Sequence, residues 1–471
     1  MFRLCSIIIV LLNVTGCTIF QPPIRPSTPL DLPEKYSLYP AHRSDQVQWW
    51  KAFDSTELNS FVDEALSGNF DILTALSRLK QANAIARQAG ANLKPSIGYN
   101  AGSKKTWQKT KTNGSKSNYS DTQTWSTDLE ASYEVDLWGR LEALRQSELL
   151  ELKASQEDLE AAAVTVSAEV VISWVKILSV HRQIAILQDQ IKTNQALLKL
   201  QQLRFVNGKA DALDVSEQRE ALAGAKANLP MLQLTEQQEL NALAVLLGRS
   251  SALGLSLVQQ DLPGLIPVPS AGLPVDLLAT RPDVRAAGLR LRAADWEVSA
   301  ARADRLPAIT LSADAGFSTN TFDLIFSNWV STLAASITGP LFDAGYRSAE
   351  VDRTRAVAEE YLTDYASTVA KALQEVENSL VTEKRQNEYI VLLEDQLKAS
   401  RMSLKDARIQ YMNGQNDYLA YLTAWTSVQK LERQLVDEQA TLIKNRVELY
   451  RTIGGDWGRE LVSGSVLSRR S

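Results

Sequence analysis

The chain has few of the residues that build metal centres and disulfide frameworks. Among its 471 residues are two cysteines and two histidines, and both cysteines lie within the first 17 residues. His42 and His181 have no suggestive partners in the sequence, and no glycine-rich phosphate loop is present. We therefore expect a protein that is not an enzyme and that holds no metal ion or cofactor.

A strong net charge and long apolar runs are also absent. The formal charge is −5 and is spread along the chain, which excludes the basic surface of a nucleic-acid-binding protein. After the N-terminal region no uninterrupted apolar stretch of about 18 residues occurs, so we expect no transmembrane helix there. With 45% hydrophobic and 22% charged residues, the composition is that of a folded protein. Such a chain can span a membrane only with β-strands.

The N-terminus has the pattern of an export signal. Arg3 precedes an apolar run from Ser6 to Leu12, which is too short to span a bilayer. The signal ends in Val14-Thr15-Gly16-Cys17, which resembles a bacterial lipobox, where the chain is cut before the cysteine and the cysteine is acylated. Thr18, in place of aspartate, favours sorting to the outer membrane. The alternative is an ordinary signal with a chance cysteine.

Two copies of one long unit make up the chain. The segment that begins at Asn69 aligns with the one that begins at Arg281, at an offset of 212 residues. Three pairs of glycines align at an offset of 206: Gly139 with Gly345, Gly208 with Gly414, and Gly248 with Gly454.

Each copy predicts a long helical hairpin. Residues 141–205 and 346–413 contain neither glycine nor proline, so each could form a helix of about 100 Å, and a second helical run returns over 209–247 and 415–453. Apolar residues recur every seventh position, which is typical of helices packed side by side with a left-handed coil. They are Ala163, Val170, Ile177, Ile184, Ile191, Leu198 and Phe205, then Val369, Val376, Ile390, Leu397, Leu404 and Tyr411, with Glu383 as the exception.

The segments before the long helices alternate polar and apolar residues instead. In residues 126–137 the even positions are serine, aspartate or glutamate, and the odd positions are mostly apolar. Similar alternation predicts four strands in two hairpins, with loops at about 103–121 and 318–328. An acidic face and an apolar face are typical of a transmembrane β-barrel, although a soluble sheet with one solvated face has the same pattern. Four strands cannot close a barrel alone, so spanning requires an oligomer.

Several motifs together resemble the TolC-like outer membrane factors, specifically the lipidated NodT/OprM-like branch. They are Trp49-Trp50 with Phe53 and Leu58, "YEVDLWGR" at 133–140, "DLLATRPDVRAA" at 276–287, "ARADRLPAITLSA" at 301–313, "GPLFDAGYR" at 339–347, and the turn at Gly414. The match departs at Gly288, where relatives usually have glutamate, and at Ala279-Thr280, where a second arginine is common.

The resemblance implies a mixed fold, in which a helical tunnel (α-barrel) joins a β-barrel formed by four strands from each chain of a homotrimer. It implies a passive exit duct in the outer membrane of a Gram-negative bacterium, fed by an inner-membrane transporter through a periplasmic adaptor (membrane fusion) protein. The alternative is a lipid-anchored coiled-coil scaffold or adhesin without a pore. The expected organisation is a signal peptide at 1–16, a lipidated segment at 17–55, periplasmic helices at 56–94 and 281–306, outer-membrane β-hairpins at 95–138 and 307–344, helical hairpins at 139–248 and 345–454, and a tail at 455–471.

Three groups of site residues are expected beside the lipid anchor Cys17. The barrel lumen would be lined by Asp128, Glu130, Glu134, Asp136 and Asp314, unless lysines such as Lys104, Lys105 and Lys109 screen them. The hairpin turns at Gly208 and Gly414 would dock the adaptor.

The resemblance also suggests a periplasmic gate near these turns. Acidic gate residues of relatives are replaced here by Ala420 and Thr423, whereas Leu419 stands where the OprM-like branch has an apolar ring. Asp211 and Asp417 could instead cap the returning helices. The gate candidates are Tyr411, Tyr418, Leu419, Asp417, Asp211 and Asp214.

The lipid anchor can be tested at Cys17. We expect Cys17→Ser to yield an unlipidated precursor or a differently cleaved product, and the apolar strands should still insert. Mass spectrometry of the mature N-terminus shows where the chain is cut and whether it carries lipid. An uncleaved, lipid-free N-terminus on the wild-type protein would contradict the lipobox.

Overall fold

The computed structural model describes residues 20–25, 30–36, 48–111, 118–269 and 274–454. The signal peptide expected at 1–16, the anchor Cys17, His42 and the tail at 455–471 lie outside these residues. Every element below belongs to the described part of the chain.

Long helices and one antiparallel sheet make up the described structure. In chain order the elements are α1 (Thr56–Gly68), α2 (Phe70–Ala91), β1 (Ser96–Thr110), β2 (Asn118–Val135), α3 (Arg140–Val206), α4 (Ala212–Leu246), α5 (Leu277–Thr280), α6 (Pro282–Ala303), β3 (Ala308–Thr319), β4 (Trp329–Thr338), α7 (Tyr346–Met412) and α8 (Tyr418–Ile453). Helices α3 and α7 have 67 residues each, and the helices that return from them, α4 and α8, have 35 and 36.

The chain divides into two compact units. The first takes in Arg78–Ser155 and Ala286–Ala366 with the residues before Leu30, and it contains the sheet. The second takes in Leu30–Ser77, Gln156–Arg285 and the residues from Ser367 onward, and it contains both helical turns.

The sheet has the order β1-β2-β3-β4, and each strand pairs antiparallel with the next. The register is uninterrupted in all three pairs, from Ser96 opposite Ser132 to Thr110 opposite Asn118 in the first. Side chains therefore alternate strictly between two faces along every strand. Strands β1 and β4 each have one neighbouring strand in the described structure, so the sheet has two open edges.

One face of the sheet is apolar and exposed. We define the apolar face by its odd-numbered residues, among them Ile97, Tyr99, Leu129, Leu311, Leu333 and Ile337, whose side chains are 41% to 84% exposed. Aromatic side chains lie near the hairpin ends of this face, where Trp125 contacts Phe322 and Phe317 contacts Phe326, with ring centroids 4.9 and 5.4 Å apart. An apolar band with aromatic residues at its margin is the pattern of a membrane-facing barrel wall.

The prediction of a loop at 103–121 was wrong for most of this segment. Strand β1 continues to Thr110 and β2 begins at Asn118, and seven residue pairs, from Lys104 opposite Thr124 to Thr110 opposite Asn118, lie beyond the β2–β3 pairing. The alternation used to predict strands fails here because neither face of this extension is mainly aliphatic.

The seven-residue repeat forms the helical core of the second unit. Ala163, Val170, Ile177, Ile191, Val369, Val376, Ile390 and Leu397 are all buried. Leu187, Ile191 and Leu222 form one cluster, and Leu393, Leu397, Val428 and Leu431 form another. One helix of the described structure, α3, is long and apolar enough over 18 residues to cross a membrane by composition, and 67% of that window is buried inside the protein. This burial is typical of a core helix.

The turns of the two hairpins have the same geometry. Gly208 and Gly414 have φ of +67° and +70°, a left-handed conformation that favours glycine. Lys209 N–H donates to the Arg204 carbonyl at 2.8 Å, and Gln415 N–H donates to the Gln410 carbonyl at 2.9 Å. These bonds satisfy carbonyl groups at the ends of α3 and α7, which is how a glycine ends a helix.

Glu383 interrupts the apolar repeat because it has a buried partner. Its carboxylate pairs with the guanidinium of Arg446 on α8, and both side chains are 5% exposed. Arg446 also donates to the carbonyl of Ile266 in the segment before α5. The charged pair thus ties two long helices and this connecting segment together.

The buried pair gives a stability prediction. Arg446→Met should lower the free energy of unfolding by about 3 to 5 kcal/mol, because it leaves the Glu383 carboxylate buried without its cation, and adding Glu383→Leu should recover most of the loss. Arg451→Met is the control on the same helix, because its partner Glu448 is 40% exposed. Urea denaturation followed by circular dichroism compares the three. Equal losses for Arg446→Met and Arg451→Met would show that burial of the pair is unimportant.

Candidate functional site

The polar face of the sheet brings three carboxylates together. Its even-numbered residues include Asp128 and Glu130 on β2 and Asp314 on β3, and Glu130 stands directly opposite Asp314. Asp128 lies opposite Gly316, where an added Cβ would come within 2.5 Å of the Asp128 Cβ. Gly316 therefore makes room for the aspartate, and the three acids form one negative patch across two strands.

The two other acids expected in this group are engaged locally. Glu134 accepts from the Arg140 guanidinium, with Nη2 at 2.8 Å from each carboxylate oxygen. Asp136 lies just after the end of β2 and accepts from the N–H groups of Leu141 and Glu142, at 3.0 and 2.8 Å. The two bonds to Asp136 satisfy N–H groups at the start of α3. We attribute to both residues a role in joining the sheet to the helix.

The lysines divide between the faces. Lys105 and Lys109 have odd positions and lie on the side of the apolar face, whereas Lys104 shares the polar face. Lys104 is four residues along β1 from Asn100, the residue opposite Asp128, which is a distance of about 14 Å. Lys105 and Lys109 are therefore not placed to screen the three carboxylates.

The turn region of the second unit contains a cluster of tyrosines. Rings of Tyr411, Tyr418 and Tyr421 lie 5.2 to 6.2 Å apart, and the Arg204 guanidinium lies 4.8 Å from the centroid of the Tyr411 ring. Tyr418 is 1% exposed, and burial raises the pKa of its phenol above the ordinary value. Tyr418 is therefore packed within the chain as a neutral hydroxyl.

Each of two tyrosines donates its hydroxyl to a buried amide of the other hairpin. The Tyr411 hydroxyl donates to Gln201 Oε1 at 3.0 Å, and the Tyr418 hydroxyl donates to Gln218 Oε1. Gln201 and Gln218 are 1% and 0% exposed. Loss of either tyrosine hydroxyl would leave a buried amide oxygen short of a donor, at a cost of about 1–3 kcal/mol.

The polar contacts continue along the helices. Gln218 Nε2 donates to the Asn194 carbonyl at 3.0 Å, Trp425 Nε1 donates to Asn194 Oδ1 at 2.8 Å, and Gln190 Nε2 donates to the Gln429 carbonyl at 3.0 Å. We call Gln190, Asn194, Gln201, Gln218, Tyr411, Tyr418 and Trp425 the amide network. Sequence reasoning missed its amides. The available signal was polar residues seven apart, Asn194 and Gln201, within the apolar repeat of α3.

The acidic candidates at the turns differ in their contacts. Asp211 precedes α4 and accepts from the Asp214 N–H at 3.3 Å, so it caps that helix. Asp417 stands in the same position before α8, but its side chain accepts no capping bond. Burial raises the pKa of the Asp214 carboxyl, and the charges of Asp211 and Asp417 raise it further. Asp214 therefore binds a proton at a higher pH than an exposed aspartate does.

Leu419, the remaining gate candidate, is 56% exposed in the single chain. It follows the buried Tyr418 directly at the start of α8. The tyrosine is thus fixed by its own chain, while more than half of the leucine side chain is open to solvent.

His181 contacts one carboxylate, with Nε2 at 2.5 Å from Glu236 Oε1. Within the described residues, no group of three or more histidine, cysteine, aspartate or glutamate side chains could hold a metal ion.

The arrangement of sheet and helical hairpins matches known proteins over almost the whole chain. A family model described as "Outer membrane efflux protein" matches residues 61–249 and 273–455. The pyoverdine export outer membrane protein OpmQ of Pseudomonas aeruginosa is 31% identical over 441 residues, which cover 91% of this chain and 92% of OpmQ. The cation efflux system protein CusC of Escherichia coli is 27% identical over 460 residues, covering 95% of this chain and 97% of CusC.

A solved structure gives the same result. The structure of the outer-membrane channel OprN has a TM-score of 0.84 and 28% identity, and the match covers 94% of this chain and 100% of that chain.

The carboxylate patch leads to a prediction about ion preference. We expect the polar face to line a water-filled lumen, because carboxylates are costly against lipid, so the wild-type channel should prefer cations by roughly twofold or more. Combining Asp128→Asn, Glu130→Gln and Asp314→Asn should bring the permeability ratio towards one, whereas Glu134→Gln, at the acid paired with Arg140, should change it little. Reversal potentials under a salt gradient measure the ratio. Anion preference in the wild-type channel would contradict the assignment.

Proposed function

Since the chain belongs to the outer membrane efflux protein family, we propose that three copies form one passive exit duct whose helical turns close it at rest. Members of this family are outer-membrane channels of efflux systems, and the chain is such a channel, extending from the outer membrane into the periplasm.

The trimer is supported by the open edges of the four-stranded sheet. Unpaired backbone groups at a sheet edge cannot lie in hydrocarbon, so β1 of one copy must pair with β4 of another. Strand β4 has 10 residues, which is the length of a tilted strand that crosses a bilayer. Three copies supply twelve strands, enough to enclose a lumen, and this requirement for closure is the observation that carries the proposal.

Two features of the chain support its proposed internal repeat. The family model matches it in two segments of similar length, and helices α3 and α7 have 67 residues each. Three copies would therefore contribute six helical hairpins to one tunnel.

We assign closure of the tunnel to two separate contacts. The amide network fixes the two helical hairpins of one chain to each other, through Tyr411 with Gln201 and Tyr418 with Gln218. The exposed Leu419 supplies the contact between copies. No residue of the network is acidic, and the two charged groups that contact it are arginines, Arg433 at Gln190 and Arg204 over Tyr411. Closure should therefore depend on side-chain packing and hydrogen bonds more than on Asp211, Asp214 or Asp417.

The turns at Gly208 and Gly414 are the proposed docking points for a periplasmic adaptor, which connects the duct to an inner-membrane transporter. Their shared geometry presents two similar ends to one partner. Relatives with this fold are named for pyoverdine export and for cation efflux. We infer that the duct passes what the transporter delivers, and that little of the cargo selection lies in this chain.

Single-channel recording in planar bilayers tests both the duct and its gate. The wild-type protein should form channels of low open probability, and Leu419→Ala with Tyr411→Phe should raise that probability at least about tenfold, because loss of the Tyr411 hydroxyl alone leaves Gln201 Oε1 short of a donor at a cost of about 1–3 kcal/mol. Tyr421→Phe and Asp417→Asn are the controls, because these two side chains make no hydrogen bond to the other hairpin in the described structure.

Two results would contradict the proposal. A protein that inserts and forms no channel in any variant is not a duct. If Asp417→Asn opens the channel while Leu419→Ala with Tyr411→Phe leaves it closed, the gate is electrostatic.

A further inference from the structure

The β1–β2 hairpin continues for seven residue pairs beyond the β2–β3 pairing, from Lys104 opposite Thr124 to Thr110 opposite Asn118. The two faces of this extension carry different types of residue. Its inner side, continuous with the polar face, has Lys104 with uncharged residues: Thr106, Gln108, Thr110, Asn118, Ser120, Thr122 and Thr124. Its outer side, continuous with the apolar face, has Lys105, Trp107 and Lys109 on β1 and Tyr119 and Asp121 on β2. Lysines and aromatic rings are therefore concentrated on the side that faces away from the lumen.

The outer lysines lie against the outer aromatic rings. Lys105 Nζ is 5.4 Å from the centroid of Trp107, and Lys109 Nζ is 5.0 Å from the centroid of Tyr119. These cation–π contacts hold two flexible side chains flat on the sheet. Trp107 and Tyr119 are nevertheless 73% and 70% exposed, so the surface has no covering group within the described chain.

The outer side of the paired strands carries a small excess of positive charge. Two lysines, Lys105 and Lys109, stand there with one acid, Asp121. Lys105 Nζ lies 3.2 Å from the Asp121 carboxylate, which neutralises part of its charge, while the Lys109 ammonium lies over a ring. We call Lys105, Trp107, Lys109 and Tyr119 the basic aromatic patch.

The position of the patch relative to the membrane follows from the register. Trp125, at the margin of the apolar band, stands opposite Ser103. Lys105 is two residues beyond Ser103 and Lys109 is six, which correspond to about 7 and 20 Å along the strand. The headgroup layer of a bilayer is about 5 to 8 Å thick on each side. Lys105 therefore lies at headgroup depth, and Lys109 lies further out.

We propose that the basic aromatic patch binds the phosphate groups of a phosphorylated glycolipid in the outer leaflet. Lysine ammonium groups are strong phosphate partners, and the tryptophan and tyrosine rings provide flat amphipathic surfaces for the sugars between the phosphates. Lys105 and Lys109 lie at two depths. This spacing suits a glycolipid that carries one phosphate near its acyl chains and others on outer sugars. The hairpin extension thereby anchors the duct to the lipid around it.

Adjacent residues of the strand provide a matched test. The detergent-purified full-length trimer is titrated with fluorescently labelled rough-type lipopolysaccharide and with the same glycolipid after removal of its phosphates. Lys105→Gln with Lys109→Gln should weaken binding of the phosphorylated form about 10- to 30-fold, as expected for two lysines near an anionic surface. Lys104→Gln, which removes a neighbouring charge from the inner side, should change binding less than twofold.

Three outcomes would overturn the proposal. Lys104→Gln could weaken binding as much per charge removed as the outer double variant does, which would make the effect one of net charge alone. The wild-type protein could bind the phosphate-free glycolipid equally well, or the outer double variant could bind like the wild type. Channel conductance of every variant is recorded as well, because the outer variants should conduct normally, so failure of the lipid site is distinguishable from failure of the duct.

Discussion

Hydrocarbon offers no hydrogen-bond partner to a backbone amide, and this constraint governs the sheet of this protein. Each open edge presents a row of N–H and C=O groups, each costing several kcal/mol if left unpaired in lipid. Pairing between copies, as in the proposed trimer, would remove that cost. The strands also differ in length: β4 has 10 residues, the length of a tilted strand that crosses a bilayer, while β1 and β2 have 15 and 18.

In the proposed duct the helical unit meets a different demand, since its long helices would have to pack closely and still separate at one end. Over most of their length the buried residues are aliphatic, as in the cluster of Leu393, Leu397, Val428 and Leu431. Towards the turns, glutamine, asparagine and tyrosine take over the buried positions. Apolar packing is lost gradually as helices part, whereas hydrogen bonds break over a short distance, because they weaken steeply with poor geometry. This change in chemistry along the helices supports the proposal that the helices separate at the turns.

The periodic features of this fold could be predicted from the sequence, because period two and period seven each correspond to one kind of packing. The alternation of residues 126–137 predicted the two faces of β2, and the glycine-free runs predicted helices now seen at Arg140–Val206 and Tyr346–Met412. Features that depend on one distant partner could not be predicted. Nothing local to Glu383 indicates Arg446, 63 residues away, and nothing local to Gln201 indicates Tyr411, 210 residues away.

The extended hairpin was missed for a related reason. Its strands alternate in charge and aromaticity rather than in apolar content, since no part of this segment is buried within the chain. The acids at the helix starts were predicted in part. The sequence offered Asp211 and Asp417 as caps for α4 and α8, and the structure shows a capping bond for Asp211 and none for Asp417. The candidate residues were therefore found more easily than their partners.

The amide network also determines which turn of one helix meets which turn of the other. Apolar side chains of a helical repeat pack almost equally well after a shift of one helical turn, so leucine alone does not distinguish the alternatives. A shift of α3 by three residues would move Gln201 away from Tyr411 and bring Leu198 into its place, which leaves the Tyr411 hydroxyl without its acceptor. The buried amides therefore contribute little attraction of their own and make a one-turn misalignment of these helices unfavourable.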